Sequence, residues 1–277
     1  MALFIQTNVS SMEAQKNLGY NQSQLQLSFN RLSSGFRINS AKDDAAGLAI
    51  SENLKSQIRS FTVAERNAGD GISMAQTAEG SLGEVHNILG RMRELAVQAS
   101  NGSLTGTDRG FLQTEFSQLQ SEITRIQGSA KFNGKQLLGA TANTISLQVG
   151  LDAVSSDQIR VTLGGVSLAT ISGSGVALSG SAAAGALSSL STIDTAISNV
   201  STSRSSFGAA MNRLEVAQSN IQTMRLNLSA ANSRIRDVDV ASETAQMSRN
   251  QVLSQAGLAV LAQANQLPQM ALNLLRG

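Results

Sequence analysis

Residues 193–228 read IDTAISNVSTSRSSFGAAMNRLEVAQSNIQTMRLNL, and within them Ile193, Val200, Phe207, Leu214, Ile221 and Leu228 stand seven apart. A strict seven-residue apolar repeat is the seam of a coiled coil. Six layers of it require one helix of roughly 50 Å at 1.5 Å per residue. The same arithmetic recurs at both ends of the chain. Leu18, Leu25 and Leu32 repeat at seven, with Phe29 and Phe36 on the complementary position. Leu253, Val260, Leu267 and Leu274 resume the repeat near the C-terminus, with Met270 on the second seam position. Between them, Leu82, Val85, Leu89, Met92 and Leu95, and then Leu112, Phe116, Leu119 and Ile123, carry the 3–4 spacing of two further helices.

The boundaries of these helices are marked by turn and capping residues. Thr105 precedes Asp108 by three at the end of a Ser/Asn/Gly loop that starts at Ser100, which is close to a capping box, so the chain reverses there. Ser40 and Asp43 have the same spacing, which predicts a helix opening at Ser40 and carrying Leu48, Leu54, Ile58 and Phe61 on one side. Gly69, Gly71, Gly80 and Gly83 weaken that stretch by about 1 kcal/mol each. Asp43 and Asp44 read as dipole-complementing residues at a helix start rather than as an acid–base pair, and Asp237 and Asp239 read the same way at a second break. The period then drops to two. Ile145, Leu147 and Val149 alternate with polar residues, as do Ile159, Val161 and Leu163. With Asn133-Gly134 at its entrance and Gly164-Gly165 before Val166-Ser-Leu168, a small β region with at least one hairpin is expected over about 132–171. Residues 172–187 are rich in Gly, Ser and Ala and read as a short linker.

Composition excludes most chemistry. The chain has 277 residues, enough for about two domains, and no Cys, which removes disulfides, thiolate metal sites and cysteine nucleophiles. His86 is the single histidine and reads as a packing or surface residue. No catalytic, metal or cofactor constellation is present, so neither enzyme activity nor a cofactor is expected. A net charge of +2 on a chain with 14% charged residues gives no electrostatic footprint for nucleic acid. No apolar run reaches the roughly 18 residues of a membrane span, and the opening MALFIQTNVSS lacks the basic and apolar regions of a cleaved secretory signal.

Seams need partners. The expected fold is mainly α: an elongated antiparallel coiled-coil or helical-bundle rod built from both chain ends, with a small β-hairpin region at the turning point. Leu112, Phe116, Leu119, Ile123, Ile193, Val200, Phe207, Leu214, Ile221 and Leu228 form the rod core. The terminal stripes are Leu18, Leu25, Phe29, Leu32, Phe36, Leu253, Val260, Leu267, Met270 and Leu274. A two-helix seam covers each of these on one side only, so the ends are expected to fray in the monomer and to order between copies. A repeated contact of that heterologous kind propagates into a helical filament unless its rotation closes into a ring.

At this point the sequence resembles bacterial flagellin. Residues 32–50 (LSSGFRINSAKDDAAGLAI) and 91–98 (RMRELAVQ) are similar to that family's N-terminal signatures. Residues 233–241 (SRIRDVDVA) and 261–275 (LAQANQLPQMALNLL) are similar to its C-terminal ones. The resemblance covers about 1–150 and 190–277. It implies a short form in which 1–40 and 238–277 make an inner, channel-lining domain and 41–171 with 188–237 make a helical rod. Residues 172–187 stand where the family's variable outer domains are inserted. The implied function is a structural subunit of the extracellular flagellar filament. Its alternatives are a hook–filament junction protein or a secreted adhesin or receptor ligand. The implied partners are further copies of the chain, the flagellar type III export apparatus, an export chaperone on the C-terminal segment, and the hook-associated and cap proteins. The resemblance also implies recognition by the host Toll-like receptor that senses flagellin, through Arg91, Leu95 and Glu115. The same residues are expected to serve first as subunit contacts.

Overall fold

The structure, a computed structural model, describes residues 7–139, 141–164, 171, 176–178 and 184–276, the side chains of 184 and 267–276 excepted. Five helices and two hairpins account for most of it: α1 (Val9–Ser34), α2 (Ala45–Ala99), α3 (Gly106–Ser129), β1 (Lys131–Phe132), β2 (Lys135–Gln136), β3 (Asn143–Gln148), β4 (Gln158–Leu163), α4 (Ala184–Arg236) and α5 (Val240–Arg276). The Gly165–Leu168 segment and most of the 172–187 linker lie outside the described residues. The chain forms two compact units, Met1–Ser56 with Asn227–Gly277, and Gln57–Leu226.

In the larger unit, α2 and α4 run antiparallel. Stepping down α2 from Arg93 to Glu79 to Glu65 steps up α4 from Asp194 (2.7 Å) to Arg204 (2.7 Å) to Arg225 (3.0 Å). These exposed ion pairs register the helices more than they stabilise them. Stability comes from the faces between them, where Leu82, Val85, Leu89 and Met92 of α2, Phe116 and Ile123 of α3, and Ile193, Val200, Phe207, Leu214 and Ile221 of α4 are buried. Leu112 and Leu119 are half-buried at its margins, and Leu228, half-buried too, belongs to the smaller unit. Ala68, Ala75 and Ala78 are fully buried on the same face of α2, so a core poor in aromatics packs by close helix approach.

The β elements lie against this layer. Asn133 (φ 47°) and Gly134 (φ 77°) form the two-residue turn of the β1–β2 hairpin, the left-handed pair that matches strand twist. β3 and β4 pair antiparallel with Ile145 opposite Val161 and Leu147 opposite Ile159, closed by residues 149–157. Asn67 of α2 donates to the Gln148 carbonyl (3.0 Å), and a Cβ on Gly71 would overlap Leu147 and crowd Leu214. Gly71 is therefore a contact point for sheet and helix. Gly69, Gly80 and Gly83 have open space where a side chain would begin.

Gly164 is the most constrained glycine. Its φ is +70°, and a Cβ there would stand 2.6 Å from the Thr141 carbonyl oxygen and 2.7 Å from that of Gly139. Gly164→Ala is expected to cost about 2–3 kcal/mol in urea unfolding, whereas Gly80→Ala should stabilise by about 0.5–1 kcal/mol. Equal effects of the two would refute the assignment.

In the smaller unit the helix ends are set by local hydrogen bonds. The Asn8 side chain accepts from the Ser11 N–H (3.0 Å) and caps α1, which ends at Gly35 in the left-handed conformation (φ 74°). Phe36 is thereby off the helix. It bridges Asp237, with the Arg236 guanidinium 4.5 Å above its ring. The Arg37 N–H donates to the Arg236 carbonyl (2.7 Å) and the Val238 N–H to the Gly35 carbonyl (3.1 Å), which holds the two chain breaks side by side. The helix expected from Ser40 begins at Ala45, because Asp44 caps it through the Gly47 N–H (2.9 Å). Asp43 instead closes the preceding turn by accepting from the N–H groups of Ser40 (2.8 Å) and Asn39 (3.2 Å). Asp239 caps α5 through the Ala241 N–H (3.0 Å).

One turn carboxylate, Asp43, and one cap carboxylate, Asp108, link folding to acid pH. Donation from the Ser40 backbone and hydroxyl holds the Asp43 carboxyl below its ordinary value, and donation from the Thr105 hydroxyl and N–H does the same for Asp108. A carboxylate depressed on folding contributes stability above its unfolded pKa and loses it as pH falls through the lower folded value. Thermal unfolding temperature should therefore decline as pH drops below about 4, and Asp108→Asn should make that decline shallower. Parallel pH profiles for variant and parent would show that the cap is not linked to folding.

Candidate functional site

The faces of α1 and α5 form the surface to which the sequence directs attention. The two helices are antiparallel: Asn8 donates to the Ala264 carbonyl (2.8 Å), Ser11 Oγ to Asn265 Oδ1 (2.7 Å), Leu18 lies 3.5 Å from where a Gly257 Cβ would stand, and Arg31 pairs with Glu243 (3.6 Å). The residues buried between them are small or polar, namely Ser11, Ala14 and Ser28 on α1 and Asn250 and Ala264 on α5. Small side chains let the helices approach closely, Leu18 packs on the Gly257 backbone, and several large apolar groups are left outside. Phe29 is 61% exposed, Leu253 44% and Val260 59%, and Val9, Met12, Tyr20, Val252 and Leu258 are exposed beside them.

Of the sequence-derived stripe, Leu18, Leu25 and Leu32 are half-buried along the edge of the α1–α5 contact, and Phe29, Phe36, Leu253 and Val260 face solvent. The side chains of Leu267, Met270 and Leu274 lie outside the described residues. The α5 residues that face α1 follow a second heptad, Asn250, Gly257 and Ala264, three positions before the one built from large residues. That repeat was present in the sequence but is written in small side chains, which carry little weight in an apolar pattern.

A second cluster sits where α2 passes α3. Arg91 Nε donates to Glu115 (2.8 Å) and Arg91 Nη1 to Glu94 (2.9 Å). Those bonds, the Glu115 one foremost, raise the already high pKa of Arg91. Arg91 is exposed and Glu115 partly so, whereas Leu95, placed with them by the family resemblance, is 1% exposed and belongs to the core beneath. Among the described residues no group of His, Asp or Glu is arranged to hold a metal ion, and no helix is long and apolar enough to cross a membrane. The clefts are shallow. The one formed by Phe61, Leu151, Ile221 and Met224 brings Asp152, Ser156 and Asp157 to its rim, with no histidine or lysine in its lining to act as a base.

Comparison with known proteins bears on what such a surface is for. The family pattern for the bacterial flagellin N-terminal helical region matches residues 5–143, and that for the C-terminal helical region matches residues 190–275. A flagellin of Halalkalibacterium halodurans is 48% identical over 274 residues, spanning 99% of this chain and all of the relative. A flagellar filament 33 kDa core protein of Treponema phagedenis is 40% identical over 286 residues, with 99% and 100% covered. Among solved structures, that of Bacillus cereus flagellin is similar at a TM-score of 0.50 and 34% identity, over 60% of this chain and 94% of that one. With helices matched at both ends, a small hairpin region between them and relatives similar over nearly the whole length, the chain belongs to the bacterial flagellin family, whose members are structural subunits of the extracellular flagellar filament.

Proposed function

We propose that the chain self-assembles, through the outward apolar faces of α1 and α5, into the helical filament that bacteria use for swimming, and that it acts as a structural protein rather than an enzyme. The observation that carries this reading is the inversion in the α1–α5 pair, with small residues inside and Phe29, Leu253 and Val260 outside. Removing apolar side chains from water contributes about 25 cal/mol per Å², and in the assembled state other copies remove these. The paired ends, 1–40 and 238–277, serve as the inner, channel-lining layer, and 41–171 with 188–237 as the rod around it. Residues 172–187 replace outer domains, so the filament surface is plain. Before assembly an export chaperone covers the C-terminal segment, the type III apparatus passes the chain outward, and cap and hook-associated proteins bound the growing polymer.

Arg91 and Glu115 have a second role as the surface read by the host flagellin receptor, with Leu95 holding their helix in place from the core. In this reading, Arg91→Ala monomer signals at least about tenfold less than parent, the worth of roughly one charged hydrogen bond. The main test is polymerisation in concentrated sulfate, which strengthens apolar burial. Intact chain should yield sedimenting tubes, and a chain lacking 253–277 should remain in the supernatant. Tubes from the truncated chain, or none from the intact one, would overturn the assignment.

A further inference from the structure

Asn250 lies on the α5 face that packs against α1 and is 4% exposed, yet its Nδ2 has no acceptor. Seven and fourteen residues on, Gly257 and Ala264 continue the same face. A buried amide with an unmet donor weakens the contact that contains it, and one polar residue in a helix seam penalises pairings in which it cannot find a partner. On α1 the Nε of Arg31, whose guanidinium meets Glu243 one heptad before Asn250, is likewise buried without an acceptor, whereas at the other end of the pair the polar groups are satisfied. Ser11 is bonded to Asn265, and Asn8 spans to the Ala264 carbonyl. The unmet donors therefore lie toward the Arg31 end of a pair whose fully buried groups are small and whose exposed large apolar groups, Phe29, Leu253 and Val260, face outward.

We infer that Asn250 is a register-determining residue that keeps the α1–α5 pair weak in the free subunit and specifies which pairing is accepted when copies assemble. The inference rests on the assembly reading above. A leucine at this position would give the pair an apolar layer at its centre. The terminal helices would then close on themselves before assembly and in more than one register.

The test compares Asn250→Leu with parent and with Asn17→Leu, the same exchange at an exposed position of α1. Amide hydrogen exchange of monomer at neutral pH reads the pair directly. Asn250→Leu should raise protection of residues 11–31 and 245–264 about tenfold or more, from relief of one buried unmet donor. Asn17→Leu should change it less than about twofold, as expected of a surface position. In sulfate, with fragments of parent polymer as seeds, Asn250→Leu should elongate at least about tenfold more slowly. Unchanged or reduced protection in Asn250→Leu would overturn the inference, as would parental elongation with raised protection. Loss of the whole fold is read separately from protection of residues 74–96, the core face of α2. If Asn250→Leu cannot hold that core, Asn250→Ala, which removes the donor without adding bulk, must show the raised protection for the inference to stand. Failure of parent chain to polymerise would defeat the assembly reading instead, and leaves the monomer comparison readable.

Discussion

Replacing Leu253 and Val260 together by serine is expected to raise the lowest concentration at which the chain polymerises by about ten- to a hundredfold, with the folding of residues 57–226 unaltered. The reasoning is energetic. Each side chain contributes about 1.5–3 kcal/mol when moved from water into a fully apolar contact, and every 1.4 kcal/mol is a factor of ten in association. Both are about half exposed in the isolated chain, so the exchange costs little before assembly. Sedimentation of polymer against total protein measures the concentration, and calorimetry of the monomer verifies the fold. A change below tenfold would mean that neighbouring copies do not bury this face. Gln251→Ser, also on the exposed side of α5, serves as the control and should leave the threshold where it was.

The second large effect lies within the subunit. Phe207 is 2% exposed at the third layer of the α4 repeat, and Phe111 is 71% exposed in the first turns of α3. Phe207→Ala removes an aromatic ring from a closed core and should cost about 3–5 kcal/mol. That lowers the unfolding temperature by roughly 10–15 °C for a unit of this size. Phe111→Ala should move stability by less than about 0.5 kcal/mol. Differential scanning calorimetry of the two variants distinguishes them. Similar shifts for both would show that the seven-residue repeat does not mark the core.

The contrast between these phenylalanines bears on how the molecule could be read from its residues. On α4 the repeat positions Ile193, Val200, Phe207, Leu214 and Ile221 are buried where the helix runs beside α2, whereas Val216, Met224 and Leu226, off the repeat, are exposed. At the ends, the same rule found the helices and their antiparallel pairing but not the face by which they meet. Periodicity reports that the Leu253 and Val260 face is apolar, not what covers it; in the isolated chain it is open to solvent, and the buried positions of the pair are Ser11, Ala14, Asn250 and Ala264, whose small size makes a weak apolar signal. Leu95 is the converse case. The resemblance grouped it with Arg91 and Glu115, and the packing of α2 places it beneath them.

Cap chemistry shows a similar division at shorter range. The Thr105/Asp108 box is present in the structure as the spacing required, since both partners lie within one turn and no distant residue competes. Ser40 and Asp43 have the same spacing, but the helix starts later. The 35–39 segment is held by the Arg236 carbonyl and the Asp237 bridge, and Asp44 is left to cap.

The sequence alone determined the existence of the long helices, their antiparallel return, the Asn-Gly turn and the family. All of these follow from local backbone preference and from apolar period within a single segment. The tertiary structure decided which of two overlapping heptads on α5 faces α1, which one of the four α2 glycines first singled out is pressed against β3, where α2 begins, and that Asn250 is buried without a partner. Each depends on residues far apart in the chain competing for the same space, and only the folded chain settles that competition.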